Sequence, residues 1–462
     1  MRNAELNEMI IKDLVSKQKE YFYSGETREY KFRVEAMERL YKSIKKHEKD
    51  LEDALLEDLN KAPDESYMTE IGLVLEEISF CKKRLKSWMA EKKVPTPVAI
   101  QPAVSFVSPE PYGTVLIMAP WNYPVNLCLI PLVGAIAAGN CAVIKPSAYA
   151  PASSRAIRLV IEDVFSEEYV AVIEGGRAEN TELLEQEFDY IFFTGSPAVG
   201  KTVMAAAAKN LTPVTLELGG KSPVIVDATA DIKLAAKKIA FGKTVNAGQT
   251  CVEPDYLLID KTVKQNFYTE YKNALAEFFP GGDMSKMGVI INEKHYRRVL
   301  SLLEGQTAVI GGGHDDARRF VEPTVLDGVD PESPVMQQEI FGPVLPVIEY
   351  TDLGEAVDFI RKRPKPLALY MFSNDESAVR HVLDSCSFGG GCINDTLVHL
   401  STSYMPFGGV GNSGMGSYHG EKSFETFSHF RSIVKASGKF DLPVRYRPYS
   451  KAKSAMVKSF LH

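Results

Sequence analysis

Residues 113–147 read GTVLIMAPWNYPVNLCLIPLVGAIAAGNCAVIKPS, and this stretch indicates the fold. The apolar, β-branched run Thr114–Met118 predicts a buried strand, a helix-length apolar segment follows at 125–138, and a second strand is predicted at 142–144. Strand, helix and strand in this order are typical of a βαβ unit, whose strands pair in parallel. The stretch therefore predicts a parallel sheet covered by helices.

The same alternation continues along the chain. Further strands are predicted at 170–173, 190–193 and 214–216, and helices at 151–165, 181–187 and 198–209. Together they predict a doubly wound, Rossmann-like nucleotide-binding domain. A second α/β domain is predicted from strands at Pro223–Val226, 256–259, 343–348, Ala368–Phe372 and 392–394, with helices beginning at Asp231 and Val263.

Composition excludes several classes of protein. The 462 residues are 45% hydrophobic and 24% charged, which is globular usage and predicts two or three domains. The net charge of -7 gives no general attraction to nucleic acid. Six sparse cysteines without a C-x-x-C pair favour reduced thiols in the cytoplasm. No secretory signal is expected, and the longest apolar run, 127–139, is too short for a membrane span.

The two ends of the chain differ from its centre. The first 95 residues have a charged, helical pattern, and 94–113 has the texture of a strand-rich arm. The end of the chain is basic, and two interpretations stay open: a solvated tail, or peripheral membrane contact through Met456, Phe460 and Leu461. Its basic residues are Arg431, Lys435, Lys439, Arg445, Arg447, Lys451, Lys453 and Lys458, against Asp441 alone.

Two residues are candidates for covalent chemistry. Cys251 follows a glycine-containing turn in Gly-Gln-Thr-Cys, so it is either an exposed nucleophile or a small buried apolar residue. Glu217 ends an apolar strand just before two glycines, at the sheet edge where ligands bind in such folds. Burial there favours a general base, and the alternative is a strand-end glutamate paired with a lysine.

Two further motifs favour binding. Ser196 opens a predicted helix whose free N–H groups suit a pyrophosphate, although Gly195 and Gly200 do not complete a G-x-G-x-x-G fingerprint. Asn122, in Ala-Pro-Trp-Asn-Tyr-Pro, either donates its amide to an oxyanion or is a turn residue.

In this order and spacing the motifs resemble the NAD(P)-dependent aldehyde dehydrogenases, from the N-terminal helices to about Lys435. The short N-terminus and Asn122-Tyr123-Pro124 look most like the class 3 branch. The motifs that carry the resemblance are Pro120-Trp121-Asn122-Tyr123-Pro124, Lys145-Pro146-Ser147, Phe193-Thr194-Gly195-Ser196, Leu216-Glu217-Leu218-Gly219-Gly220-Lys221, Gly248-Gln249-Thr250-Cys251, Glu339-Ile340-Phe341-Gly342-Pro343 and Pro406-Phe407-Gly408-Gly409.

The resemblance implies roles for individual residues. Cys251 is expected to be the nucleophile and Glu217 the base that deprotonates the thiol, the deacylating water, or both. Asn122 and the backbone N–H of Cys251 are expected to form the oxyanion hole. NAD or NADP is the implied cofactor, and no metal is implied. The residues expected to bind the cofactor are Trp121, Lys145, Ser147, Gly195, Ser196, Gly200, Leu218, Gly219, Glu339 and Phe341.

The resemblance also implies the architecture. A cofactor domain is expected at 1–90 and 108–217 and a catalytic domain at 218–418. An oligomerisation arm, built from β-strands, is expected at 91–107 and 428–445, and the basic tail covers 446–462. The arm would pair across a homodimer, because exposed strand edges need a partner.

The expected reaction is oxidation of a medium-chain aliphatic or aromatic aldehyde to its acid, through a thiohemiacetal and a thioester on Cys251. Part of the substrate tunnel is expected to be lined by Tyr123 and by the segment between Asn394 and Met405, including Thr396, His399 and Tyr404. The alternatives are a CoA-acylating aldehyde dehydrogenase, disfavoured by Glu217, a non-catalytic nucleotide-binding protein, and a thiol hydrolase.

Two positions depart from the family pattern. Ala148 replaces a glutamate found in many NAD-preferring members, which predicts that NADP is accepted because a 2′-phosphate is not repelled. Glu253 stands where a small residue is usual. Its carboxylate either faces the thiol and raises the thiol pKa, or faces away and pairs with a surface cation.

Overall fold

The computed structural model describes residues 2–461, with side chains from residue 9 onward. Met1 and His462, which belong to the predicted cofactor domain and basic tail, lie outside the described residues. The helices are α1 Arg2–Ser24, α2 Tyr30–Lys46, α3 Glu48–Leu59, α4 Pro63–Ser66, α5 Gly72–Trp88, α6 Pro124–Ala138, α7 Pro151–Glu162, α8 Arg177–Glu185, α9 Pro197–Ala208, α10 Ile232–Thr244, α11 Lys264–Phe278, α12 Glu293–Ser301, α13 Pro334–Gln337, α14 Leu353–Arg361, α15 Glu376–Ser385, α16 Glu421–Thr426 and α17 Lys451–Phe460.

The strands form two large sheets, a small arm sheet and one hairpin. They are β1 Lys92–Val94, β2 Ala103–Pro111, β3 Thr114–Met118, β4 Cys141–Lys145, β5 Val170–Val172, β6 Tyr190–Gly195, β7 Val214–Leu218, β8 Pro223–Val226, β9 Tyr256–Asp260, β10 Thr307–Ile310, β11 His314–Asp315, β12 Phe320–Val321, β13 Thr324–Asp327, β14 Val344–Tyr350, β15 Ala368–Phe372, β16 Gly390–Ile393, β17 Gly414–Met415 and β18 Ser428–Ala436.

The first sheet has the order β17-β7-β6-β3-β4-β5. All its neighbours are parallel except β17, which runs antiparallel to β7. The chain builds outward from β3 through β4 to β5, and then returns to the other side of β3 for β6 and β7. This reversal makes the sheet doubly wound and leaves a crevice at the carboxyl ends of β3 and β6, where such folds bind ligands.

The second sheet has the order β10-β13-β14-β9-β8-β15-β16 and is parallel except for β10. Its inner strands β8 and β15 are buried along their whole length, as expected for a parallel sheet covered on both faces. The α/β fold class with two parallel sheets is therefore confirmed.

The arm is a three-stranded antiparallel sheet, β1-β2-β18, within one chain. Strand β2 pairs with β18 from Ala103 opposite Ala436 to Pro111 opposite Ser428. Strand β2 thus continues past the predicted arm boundary at 107, and β17, from the predicted catalytic segment, joins the first sheet. Segment boundaries are less well defined by sequence than the central strands, because such edge pairings are long-range.

One hydrophobic core cluster includes residues of both large sheets, among them Val115 and Ile117 of the first and Val224 and Val226 of the second. Helix α6 lies in this core, and the residues of its predicted apolar run are nearly all buried. No helix among residues 2–461 is long and apolar enough to cross a membrane. Helix α17 carries most of the basic tail's described residues and is largely exposed, with Met456 and Leu461 open to solvent.

Candidate active site

Two cavities meet at Cys251. One has a volume of about 320 Å³ and the other about 570 Å³, and the residues that line both are Cys251 and Leu127. The larger cavity lies at the carboxyl ends of β3, β6 and β7 and also contains Asn122 and Glu217. The three residues predicted to carry out the chemistry are thus brought to one place from distant parts of the chain.

The backbone before Cys251 has an unusual conformation. A 3₁₀ turn follows α10, and Asn246, Ala247 and Gly248 have successive positive φ angles of 50°, 53° and 71°. Such angles cost roughly 1–3 kcal/mol for each residue other than glycine. At Gly248 a Cβ atom would lie 2.4 Å from the carbonyl oxygen of Gly342, so only glycine fits. This turn presents Cys251 at the junction of the two cavities.

Hydrogen bonds hold this turn in place. The Gln249 side chain donates to the carbonyls of Asn246 and Val289 and accepts from the N–H of Ile291. The Asn122 amide donates to the Gln249 carbonyl at 3.0 Å. This contact places the predicted oxyanion donor directly against the loop that carries the thiol.

A buried ion pair supports the position of Asn122. The Lys61 ammonium, fully buried, pairs with Glu70, donates to the Asn122 carbonyl at 3.3 Å and lies 4.2 Å from the ring centroid of Tyr123. The other Glu70 oxygen accepts from the N–H groups of Val125 and Asn126 at the start of α6. Lys61 and Glu70 are therefore positioning residues, which the sequence analysis missed because lysine and glutamate in a charged helical region are usually solvated.

Glu217 is a buried carboxyl without a partner. Neither of its oxygens has a hydrogen bond among the described residues, and its side chain is almost completely inaccessible. Burial raises the pKa of Glu217 well above its ordinary value. The predicted alternative, pairing with a lysine, is not what the structure has, since Lys221 pairs with Asp255. Burial also raises the pKa of Cys251, and the Glu339 and Glu217 carboxyls add to that rise.

Most residues predicted to bind the cofactor line the larger cavity. They are Trp121, Gly195, Ser196, Leu218, Gly219, Glu339 and Phe341. Lys145, Ser147 and Gly200 do not line it. The Lys145 ammonium donates to the carbonyls of Pro146 and Gly175 at the end of β4. Gly200 instead lets α9 approach β7, because a Cβ there would lie 2.7 Å from the Leu218 side chain.

Close backbone approach shapes this cavity. A Cβ on Gly219 would lie 2.3 Å from the Glu339 carboxylate, which accepts the N–H of Gly220 at 3.1 Å. Burial, with a contribution from the Asp255 carboxylate, raises the pKa of Glu339 to about 8.

Phe341 contacts Trp121 edge to face at 5.3 Å between ring centroids. His295 and Arg298 also line the cavity, and no sequence motif had indicated them.

The smaller cavity is mainly apolar. Tyr123 lines it, and so does the predicted segment 394–405, through Leu397, Val398, Leu400 and Ser401. Thr396, His399 and Tyr404 of that segment do not line it, so their individual placement was wrong. Tyr404 is exposed and contacts Arg84 and Phe80 outside the cavity. Among its described lining residues none is Asp, Glu, Lys or Arg. The lining residues are Met68, Thr69, Leu73, Tyr123, Asn126, Leu127, Phe241, Val245, Thr250, Cys251, Leu397, Val398, Leu400, Ser401, Phe407, Tyr418 and His419.

Glu253 matches neither of its two predicted environments fully. Its carboxylate lies 2.7 Å from the Lys243 ammonium and accepts the N–H of Gly342, so it is committed away from the thiol. The cation is buried, however, with 0% of its side chain exposed, and is not a surface cation. The bond to Gly342 connects the cysteine loop to the segment that carries Glu339 and Phe341.

Glu253→Ala is expected to destabilise the protein by about 3–5 kcal/mol, because it leaves the Lys243 ammonium buried without an anion. Urea unfolding measures this loss. The double variant Glu253→Ala/Lys243→Met should recover part of it, and Glu253→Gln should cost less because its amide oxygen still accepts from Lys243. An unfolding midpoint unchanged in Glu253→Ala would contradict this account of the pair.

Comparison with known proteins identifies the family. The aldehyde dehydrogenase family profile matches residues 2–433. The chain belongs to the aldehyde dehydrogenase family. This confirms the predicted resemblance and the enzyme class, oxidation of aldehydes.

Individual relatives of this aldehyde dehydrogenase cover nearly the whole chain. It is 50% identical to the 4,4'-diaponeurosporen-aldehyde dehydrogenase of Staphylococcus aureus, over 96% of this chain and 97% of that protein. It is 47% identical to the dimeric, NADP-preferring aldehyde dehydrogenase of the dog, Canis lupus familiaris, over 92% and 94%. The solved structure of the substrate-bound state of Staphylococcus aureus AldH superimposes with a TM-score of 0.95 at 48% identity, covering 98% of this chain and 99% of that one.

Proposed function

We propose that this enzyme oxidises apolar aldehydes to carboxylic acids by a hydrolytic, thioester route on Cys251. The observation that carries the proposal is the meeting of an apolar cavity and a polar-edged cleft at one cysteine, with an unpartnered carboxyl, Glu217, in the cleft. An apolar chain fits the smaller cavity because no charged side chain among its described lining residues has to be desolvated.

Cys251 and Asn122 account for the first step. The Cys251 sulfur attacks the aldehyde carbon, its proton passes to the Glu217 carboxylate, and the carbonyl oxygen becomes an alkoxide. The Asn122 amide and the backbone N–H of Cys251 donate to that oxygen, each stabilising it by roughly 3–4 kcal/mol. Lys61 and Glu70 act through the Asn122 carbonyl, since they hold the amide at the thiol loop.

The larger cavity fits a nicotinamide dinucleotide. Ser196 caps the twelve-residue helix α9, whose N-terminal N–H groups suit a pyrophosphate, and Gly219 leaves room where a side chain would clash with Glu339. A bound NAD or NADP would supply the two-electron oxidant that the conversion of an aldehyde to a thioester requires. Glu339 and Phe341 are the residues proposed to orient it, and Trp121 forms the wall beside Phe341.

Glu217 accounts for the last step. Loss of hydride leaves a thioester on Cys251, and a water must add to it for the acid to leave and the thiol to reform. The Glu217 carboxylate is buried and has no hydrogen bond among the described residues, so it is free to accept the proton of that water. This role favours hydrolysis over transfer of the acyl group to CoA.

The test is an absorbance assay for reduced nicotinamide with hexanal, benzaldehyde and acetaldehyde, using NAD or NADP, with and without CoA. We expect reduction without CoA and faster turnover of hexanal and benzaldehyde than of acetaldehyde. Activity only with CoA would favour the acylating reaction, and cofactor-independent release of acid from esters alone would favour a thiol hydrolase.

NADP is expected to serve as well as NAD. Ala148 is exposed in the loop after β4, so nothing acidic stands at this position, and the dog relative is named NADP-preferring. Ala148→Glu should raise the KM for NADP about tenfold or more while leaving that for NAD unchanged, because a carboxylate repels a 2′-phosphate. A wild-type KM for NADP more than about a hundredfold above that for NAD would contradict the proposal.

The enzyme is also proposed to be a cytoplasmic homodimer. All six cysteines are free, as in reducing compartments. Both outer strands of the arm, β1 and β18, have open edges among the described residues, and Val94 of β1 and Val434 of β18 are exposed. Size-exclusion chromatography should show twice the mass of the 51.1 kDa chain, and a purely monomeric species would contradict the dimer.

A further inference from the structure

A third cavity, of about 180 Å³, lies at the base of the arm, away from the residues that line the two active-site cavities. Its polar wall consists of Arg28, Arg33, Arg431, Ser428 and Glu110. The remaining wall comes from Met89, Pro109, Pro111, Ala138 and Phe424. Three arginines therefore converge here from the N-terminal helices and from β18, with a single carboxylate among them.

Arg33 is buried without an anionic partner. Its side chain is only 5% exposed, and its guanidinium donates to the carbonyls of Thr27, Arg28 and Ala137 at 2.9–3.0 Å. No carboxylate among the described residues pairs with it. Burial lowers the pKa of Arg33 to about 10, so it remains charged at neutral pH. The Ala137 carbonyl lies in the last turn of α6, and with the Glu29 carboxylate it offsets part of this charge, but no side-chain carboxylate forms an ion pair with Arg33 among the described residues.

Ser428 supplies an independent observation. It is 4% exposed, it lines the same cavity, and its hydroxyl oxygen has no hydrogen-bond partner among the described residues. A buried hydroxyl without a partner costs free energy unless a ligand or water satisfies it. The hydroxyl thus offers an uncommitted donor beside the arginines.

The one carboxylate in the wall is already neutralised. Glu110 pairs with Arg431 at 3.2 Å and with the His429 ring at 3.0 Å. Arg28 has no ion-pair partner among the described residues, and its guanidinium lies over the Phe22 ring at 5.3 Å. After the Glu110–Arg431 pair is set aside, Arg28 and Arg33 leave an excess of two positive charges at the cavity.

We infer that this cavity is a binding site for a small tetrahedral oxyanion, either free phosphate or the phosphate group of a small phosphorylated metabolite. Arginine guanidinium groups and a hydroxyl are the donors that phosphate oxygens take, and a volume of about 180 Å³ accommodates such a group. The ligand would bridge the N-terminal helices through Arg28 and Arg33 and the arm through Ser428 and Arg431, and so stabilise the arm's attachment. This site is separate from the proposed reaction and does not depend on it.

The test measures thermal unfolding of the full-length protein in increasing inorganic phosphate at constant ionic strength, with sodium chloride as the replacement salt. The cofactor cleft is saturated with NADPH, because phosphate could otherwise occupy it. We expect a saturable rise in Tm and one phosphate per chain by isothermal titration. Ser428→Ala and Arg28→Gln should each raise the Kd for phosphate about tenfold, because each removes a hydrogen bond to a charged group. The same titration with glycerol phosphate distinguishes the two ligands, because the tighter binder of the two is the one that the cavity fits.

Arg380→Gln, on the exposed face of α15, is the matched control and should bind phosphate like the wild type. Neither Ser428→Ala nor Arg28→Gln removes a hydrogen bond or ion pair seen among the described residues, so both should fold. Equal Tm shifts in phosphate and chloride, or equal Kd values in all variants, would overturn the site. One further result would overturn the site. If the wild-type dimer binds no phosphate but dissociates when Arg28 is replaced by glutamine, an acidic side chain of a second copy fills the cavity.

Discussion

Cys251→Ala is expected to lower aldehyde oxidation by about 10⁴-fold or more, because no other group can form the covalent intermediate from which hydride leaves. The sulfur stands where the two cavities meet, so its loss removes the nucleophile from that junction while the other lining residues of both cavities stay as they are. Steady-state formation of reduced nicotinamide measures the effect. Trp121 fluorescence should still report cofactor binding, since this indole lines the intact cleft.

The control for this variant is Cys392→Ala. Cys392 is also a half-buried free thiol, but it lies in β16 beside His399 and lines neither active-site cavity. We expect this control to keep most of the activity. Substantial oxidation by Cys251→Ala, or its loss in Cys392→Ala alone, would mean that the nucleophile has been assigned to the wrong residue.

Glu217→Gln is expected to slow steady-state turnover by about 10²- to 10⁴-fold while an initial burst of reduced nicotinamide survives. Glu217→Gln slows thioester formation as well, because the Cys251 thiol loses the base that takes its proton. Hydrolysis is slowed more, because water is a much weaker nucleophile than sulfur and depends more on that base, so the thioester accumulates after one burst. Glutamine has the same shape, and the carboxyl it replaces makes no hydrogen bond among the described residues, so the fold should tolerate it. Rapid mixing resolves the burst from turnover.

The pH profile gives a second measurement of the same residue. Only the deprotonated carboxyl can accept a proton, and burial raises the pKa of Glu217. The kcat of the wild type should therefore rise with pH through a range above that of an ordinary carboxyl group, and fall as Glu217 is protonated. In Glu217→Gln this rise of kcat with pH should be absent. If Glu217→Gln keeps the full turnover rate and the same rise of kcat with pH, Glu217 is not the base.

The central elements and the chemical residues were accessible from sequence for physical reasons. Buried parallel strands such as β3 and β8 are continuous apolar runs, which sequence patterns detect. Strand β17 is only two residues long and pairs with β7 across the chain, and β10 is mostly exposed, so neither carries a hydrophobic signal. The local motifs for Cys251, Glu217 and Asn122 left alternatives open, and only their joint order, through the resemblance to the family, indicated roles for the three residues that the structure brings to one cavity.

The lining of the smaller, apolar cavity could be predicted only in part. Met68, Leu73 and Phe241 come from helical segments, where an apolar residue that lines a cavity looks like any other core residue. The predicted segment 394–405 does reach this cavity, but no local pattern specifies which of its side chains face inward, and His399 and Tyr404 contact Cys392 and Arg84 instead. Glu253 was ambiguous for the same reason, because its partner Lys243 lies on α10 and is recognisable only once the helix is packed.

Because the Lys61–Glu70 pair supports the loop of Asn122, damage to the N-terminal helical region is expected to lower the specific activity of purified protein. Neither residue lines either active-site cavity, yet both hold the loop that carries Asn122. A molecule cut by a protease between α3 and α5 would still register as protein in a concentration assay and would still carry a titratable thiol. Such a molecule would lack the support for Asn122 and so would be inactive. The specific activity of a stored sample would therefore fall before its thiol content or its protein concentration changed.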